Sequence, residues 1–398
     1  MHSVTTKSHF TTEASARSQT SAHSKMINVK PMEAVEALYC KDQDELSEEI
    51  VASLSRTIFG ASETRPAGWV QRTLARVSYR VLQWTTTSSK PADAPGSEVE
   101  VFSNKLMERS RHPYARALLG SSRSETASLV EGGDPMNGNY MMLAPEIRMN
   151  GGLWDRLFLD SVQGKDVRLR MALETRATYE TARRWLEQEK PVRLKAVAAG
   201  TGLSMILVYD RLIRDGYHPR LLTVTITDWE KANIAKANRL MDKLATTRER
   251  KHDLGTGFGI SAETEDIFAE YQKGAACSAP YDVVTAIGIL EYFQGFSYCT
   301  TEQRLKLKTQ VEAPTAQDLV KRLYDMTTDC ASLIVNTCRD DASTRILELF
   351  GRKFDYRNRE GLRSLLTSAD FRRVRLVGSG NIYDVEIYEK TQSRAMAG

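Results

Sequence analysis

"RLKAVAAGTGLSM", residues 193–205, decides how the second half of the chain is read. An apolar run breaks at Gly200-Thr201-Gly202 and then resumes at helical spacing. That is the pattern of a strand, a tight turn and a helix. In a sheet of parallel strands, ligands bind beyond the carboxyl ends of the strands. The turn is therefore either a plain connection or a place where a ligand lies against the backbone. Glycine permits both the sharp turn and the close approach.

The sequence that follows supplies the context. Short apolar runs rich in β-branched residues occur at 193–199, 222–227, 281–287, 332–337, 374–378 and 382–388. Helical patterns fill the gaps at 203–215, 229–247, 315–329 and 358–370. Such alternation predicts an α/β fold, a doubly wound sheet covered on both faces. Only "SGN" separates the last two runs, which predicts an antiparallel hairpin. The second run ends in Asp228, within "TVTITDWEKAN". A carboxylate at that tip can accept both hydroxyls of an adenosine ribose. It can equally cap the helix that starts at Trp229. Two features count against a dinucleotide. Leu203-Ser204-Met205 follow Gly202 where a third glycine would stand, and the step from Gly200 to Asp228 exceeds the usual spacing of about 20 residues.

Upstream of Pro191 the character differs. Residues 1–30 are polar and are expected to be a disordered tail, and 31–190 a mostly helical N-terminal domain. "DELSEEIVASLSRTIF" opens with acids and continues at helical spacing. "AGWVQRTLARVSYRVLQW" repeats Val70, Leu74, Val77, Val81 and Trp84 on one face. A polar linker, "TTTSSKPADAPGSE", and a helix over 98–110 come next. The segment 121–152 is rich in glycine and methionine, lacks periodicity and contains "DPMNGNYMM". Loops of that length are usually functional or disordered. A basic amphipathic helix is then expected from Leu153 to about Glu189. Together 121–190 read as a lid over the strand tips, and the remainder, 191–398, as the ligand-binding domain.

Composition narrows the function classes. The chain has 398 residues, 41% hydrophobic and 27% charged, with a formal net charge of +4. That charge is too small to argue for nucleic acid, and no basic-aromatic stripe adds to the case. No stretch approaches the roughly 18 apolar residues of a membrane span, and the first 25 residues lack the apolar core of a signal peptide. The five cysteines are scattered and odd in number, as expected for reduced thiols in a cytoplasmic protein. The six histidines include no HxxxH or HExxH, so no metal site is expected.

"AVAAGTGLSM", "TVTITDWE", "YDVVTAIGILEYF" and "VRLVGSGNIYDVEIYEK" resemble, in order, the motifs of class I S-adenosylmethionine-dependent methyltransferases. The resemblance covers residues 190–390. It implies seven strands with the last inserted antiparallel, and S-adenosylmethionine as cosubstrate without a metal. It also implies that Gly200, Thr201 and Gly202 lie beneath the methionine portion, that Asp228 binds ribose, and that Trp229 flanks adenine. Glu265 and Asp266 would stand beside the adenine amino group, and Gly288 to Tyr292 would face the sulfonium, with Glu291 and Tyr292 as candidate catalytic groups. Asn139 and Tyr179 are further candidates from the lid. One departure is plain. The acid common before the glycine turn is replaced by Ala198-Ala199, so the ammonium anchor must come from elsewhere.

The expected reaction is methyl transfer to a small molecule, in specialised metabolism. A second outcome is cyclisation of S-adenosylmethionine to azetidine-2-carboxylate with release of methylthioadenosine. That chemistry needs no second substrate and suits the long N-terminal part and the "NGNY" loop. A non-catalytic binding protein on the same fold and an NAD-linked oxidoreductase are the remaining readings. A homodimer is compatible with all of them.

Overall fold

A computed structural model describes residues 48–60, 66–85, 160–252, 259–267, 280–292, 315–349 and 354–391. The sheet carries β1 (Val192–Ala196), β2 (Leu222–Asp228), β3 (Ile260–Thr264), β4 (Tyr281–Ala286), β5 (Thr327–Asn336), β6 (Phe371–Ser379) and β7 (Asp384–Lys390). Their order is β3-β2-β1-β4-β5-β7-β6. Strands β1 to β5 pair in parallel, and β7 lies antiparallel between β5 and β6. This is the doubly wound sheet with a closing hairpin that the residue pattern predicted, with the seven strands and antiparallel last strand that the family resemblance implied. The helices are α1 (Glu48–Phe59), α2 (Trp69–Thr85), α3 (Val162–Leu186), α4 (Leu203–Arg214), α5 (Lys231–His252), α6 (Ala316–Asp325), α7 (Ala342–Leu349) and α8 (Arg359–Thr367).

Period-2 alternation sorts the strand residues onto two faces. Leu194, Val283, Ile334, Val385 and Ile387 point into one apolar layer with α3 and α4. Val284, Leu333, Val335 and Tyr388 point into the other, against α6 and α8. Helix ends follow local chemistry. Ser161 caps α3 by accepting from the Gly164 N–H at 3.1 Å. Thr315 and Asp318 form a capping box at α6.

Three outcomes differ from the sequence expectations. Strand β3 was not foreseen, because this edge strand is largely exposed and carries little apolar signal. Helix α6 stops at Asp325 and β5 begins at Thr327, earlier than the apolar run 332–337 suggested. The helix expected from Leu153 is described from Val162, and it belongs to the sheet's own layer. Its Leu169, Leu173, Ala177, Ala182 and Leu186 are built into the main core, so this segment cannot swing as a lid without opening that core. The tail 1–30, the helix at 98–110 and the loop 121–152 lie outside the described residues. The apolar stripe of α2 is solvent-facing, with Trp84 at 81% and Leu74 at 59% exposure. Among the described residues no helix is long and apolar enough to cross a membrane.

Candidate functional site

The chain winds from β1 outward to β3, then returns to β4 and winds the other way. Strands β1 and β4 are therefore neighbours at the switch point, where an open sheet forms its ligand crevice. Each of these strands ends in a glycine turn. After β1, Ala198, Gly200 and Gly202 all adopt left-handed backbone, with φ of 51°, 57° and 64°. After β4, Gly288 does the same at φ 75°. Left-handed Ala198 costs backbone energy of roughly 1–2 kcal/mol. The turn is held by Ala199 N–H donating to the Thr227 carbonyl at 3.0 Å and Gly202 N–H to the Ala199 carbonyl at 2.9 Å.

Gly202 has a packing reason of its own. A Cβ there would meet Ile226 side-chain atoms at 2.6 and 2.7 Å. The absent side chain thus lets α4 close onto β2, a role separate from backbone approach to a ligand. Thr201 is buried inside the turn.

Asp228 ends β2 and ties the neighbourhood together. Its Oδ2 accepts from Gly200 N–H at 2.8 Å, and its Oδ1 accepts from Glu230 N–H at 2.9 Å and Asn233 Nδ2 at 3.1 Å. The carboxylate thus braces the glycine turn; the helix expected at Trp229 begins at Lys231, so Asp228 holds the Glu230 N–H just ahead of it and is not the cap of its first residue. Burial pushes its pKa up, and the three donors pull it back. A carboxylate offers about four acceptor sites. Three are taken, so the group can receive one further hydroxyl directly, not two. Trp229 follows at 42% exposure. Glu265 N–H donates to the Asp228 carbonyl at 3.0 Å, and its carboxylate is committed to Lys195 Nζ at 2.6 Å. Asp266 is exposed.

The β4 side is bound to α3. Gly288 N–H donates to Asn336 Oδ1 at 2.7 Å, and a Cβ at Gly288 would meet the Arg170 guanidinium at 2.9 Å. Arg170 pairs with buried Glu291 at 2.9 Å and lies over the Tyr383 ring at 4.4 Å. Glu291 also accepts from Asn336 Nδ2 at 3.5 Å. Burial raises the Glu291 pKa and the Arg170 charge opposes it. Glu291 is thus a buried half of an ion pair rather than a free base.

Arg170 belongs to a polar line on α3 at four-residue spacing, Asp166, Arg170 and Glu174, facing the strand tips. Asp166 accepts from Ile382 N–H at 2.5 Å in the β6–β7 turn. Glu174 accepts from Ser204 Oγ at 3.2 Å, in the first turn of α4. Burial pushes the Glu174 carboxyl up to about 7, offset in part by Arg170 and by the Ser204 and Thr285 hydroxyls.

The structure brings Gly200, Gly202, Asp228 and Glu265 together at one turn, and Gly288 and Glu291 at the other. It does not bring Tyr179 to either. The Tyr179 hydroxyl donates to Asp215 at 2.5 Å, beyond the carboxy-terminal end of α4, and its ring packs on Phe59. That is toward the amino ends of the strands, away from both turns, so Tyr179 is corrected to a structural contact. Asn139 and the side chain of Tyr292 lie outside the described residues. Arg170, Glu174 and Asn336 were missed in the sequence. The Arg170–Glu174 spacing on an otherwise amphipathic helix was the available signal, and it reads as an ordinary surface pair until α3 is seen to be buried.

Neither a protein-family model nor a curated protein sequence matches the chain. Solved structures similar to it include the magnesium protoporphyrin IX methyltransferase ChlM of Synechocystis PCC 6803 with bound SAH, at 14% identity and TM-score 0.36, covering 56% of this chain and 87% of that one. The CurJ carbon methyltransferase is similar at 14% identity and TM-score 0.43, over 90% of this chain and 93% of its own. The N-methyltransferase NodS of Bradyrhizobium japonicum WM9 is similar at 12% identity and TM-score 0.33, over 54% and 86%.

Proposed function

We propose that the chain is an S-adenosylmethionine-dependent transferase acting on a small molecule, with methyl transfer as its reaction. One observation carries this reading. A left-handed glycine turn, braced by Asp228, opens at the switch point of the sheet beside a buried acid, Glu174. A dinucleotide would set its pyrophosphate at the amino end of α4. Glu174 accepts from Ser204 there, and a buried carboxyl is hostile to a phosphate. The same carboxyl suits a ligand with a positive charge. The site therefore favours an adenosyl sulfonium over NAD.

The residues fit such a ligand. Asp228 retains one acceptor site for a ribose hydroxyl, and exposed Trp229 offers an aromatic face at the same strand tip. Bound there, S-adenosylmethionine supplies an electrophilic carbon attached to a positive sulfur, with a thioether that leaves without acid help. The chain's own task is alignment and exclusion of water. Gly288 and the Arg170–Glu291 pair form a fixed wall on the β4 side of the crevice. Neither half of that pair is poised to exchange a proton while the other stays beside it.

Incubation with S-adenosylmethionine, followed by mass spectrometry, tests the reading. Adenosylhomocysteine that appears only when a small-molecule acceptor is added supports methyl transfer. Methylthioadenosine formed without an acceptor would replace it with cyclisation to azetidine-2-carboxylate or another attack on the aminocarboxypropyl chain. No product, with no binding, would leave a scaffold on this fold.

A further inference from the structure

Strand β1 runs into the glycine turn as Leu194-Lys195-Ala196-Val197-Ala198-Ala199-Gly200, without an acid. An amino acid end lying on this turn would find no carboxylate from the strand. The nearest acids are mostly committed. Asp228 braces Gly200, Glu265 pairs with Lys195, and Glu291 pairs with Arg170. Glu174 differs. It comes from α3, meets α4 two residues after Gly202 by accepting from Ser204, and feels the charge of Arg170, whose ion pair is made with Glu291. It is 8% exposed.

We propose that Glu174 receives the ammonium group of the ligand held on the glycine turn, supplying from α3 the carboxylate that strand β1 does not carry. This rests on the S-adenosylmethionine reading and names the residue that recognises the ligand's amino acid end. The groups facing Glu174 are Ser204 from α4, Thr285 from β4 and, one helical turn earlier on its own helix, Arg170. Arg170 is turned toward Glu291.

The assignment has a consequence for protons. With its carboxyl near pH 7, Glu174 is about half protonated at neutrality before the ligand arrives. An ammonium beside it favours the ionised form. Binding then drives the carboxyl proton out to solvent and leaves a carboxylate–ammonium pair.

Calorimetric titration at pH 7 in two buffers of different ionisation heat measures that proton. Adenosylhomocysteine, which carries the ammonium, is compared with methylthioadenosine, which lacks the amino acid end. For the native chain, adenosylhomocysteine should release about half a proton per site, falling toward zero by about pH 9. Methylthioadenosine should release none. Glu174→Gln should weaken adenosylhomocysteine about tenfold or more and abolish the release, while methylthioadenosine binds as before. Ser204→Ala removes a donor, keeps the carboxyl and should increase the protons released at pH 7. It provides an independent check if Glu174→Gln does not fold. Equal affinity and equal proton release in the native chain and Glu174→Gln would overturn the Glu174 assignment alone. Proton release unchanged in Ser204→Ala would do the same. Absence of binding by either ligand to the native chain would overturn the cosubstrate reading with it.

Discussion

Gly202 illustrates how one residue serves both fold and site. Its left-handed backbone sets the entry of α4, and its missing Cβ admits Ile226. Gly202→Ala should destabilise the fold by about 1–3 kcal/mol, through overpacking and a left-handed non-glycine residue. Ile226→Ala removes the colliding atoms at its own cavity cost of about 2–5 kcal/mol. The two should therefore be less than additive in a denaturation double-mutant cycle, because the pair relieves the clash. Strict additivity would mean that Ile226 is not what Gly202 accommodates. The glycine itself was legible in the sequence, as was Asp228 at its strand tip. The Ile226 contact was not, because it depends on the register of β1 against β2, and a sequence does not print register.

At the scale of an element, α3 is the part of the molecule that sequence reading placed least well. It was read as a basic amphipathic helix within a lid, whereas Arg168, Arg170 and Glu174 are buried. Thr175, Thr178 and Thr181 satisfy their hydroxyls on carbonyls four residues earlier, which lets a polar helix enter a core. The sheet strands were easier, since β-branched runs announce themselves and only the exposed edge strand β3 escaped. The buried Glu174 carboxyl makes α3 sensitive to pH. Its folded pKa, about 7, lies above the ordinary 4.5, so between those values the native state holds more protons than the unfolded chain. Stability should therefore fall as pH rises from about 4.5 to 7, by an amount on the order of 3 kcal/mol from this group. Chemical denaturation of Glu174→Gln across pH 5 to 8 should show that part of the fall removed, because the amide carries no charge to bury. A variant whose stability tracks the native chain across that range would show that Glu174 does not titrate there.

For the whole molecule, the organising feature is the switch point between β1 and β4, with a glycine turn on each side and α3 packed on the sheet so that Asp166, Arg170 and Glu174 reach the turns. The order and spacing of soft motifs in the sequence were enough to anticipate that sheet. They were not enough to anticipate that residues upstream of Pro191 belong to its core, since helix periodicity says which face is apolar and not what it meets. The proposed function requires an adenosyl ligand to bind on the glycine turn against Asp228. Titration calorimetry of the full chain with adenosylhomocysteine, native against Asp228→Asn, measures that contact. Asparagine can keep the contact to Glu230 N–H while removing the charge that a ribose hydroxyl would meet. The native chain should bind at micromolar strength. Asp228→Asn should be weaker by about 1.5–3 kcal/mol, or roughly 10- to 150-fold, with unchanged circular dichroism. Native binding that survives Asp228→Asn undiminished would contradict the account, as would a native chain that takes up no adenosylhomocysteine at millimolar concentration.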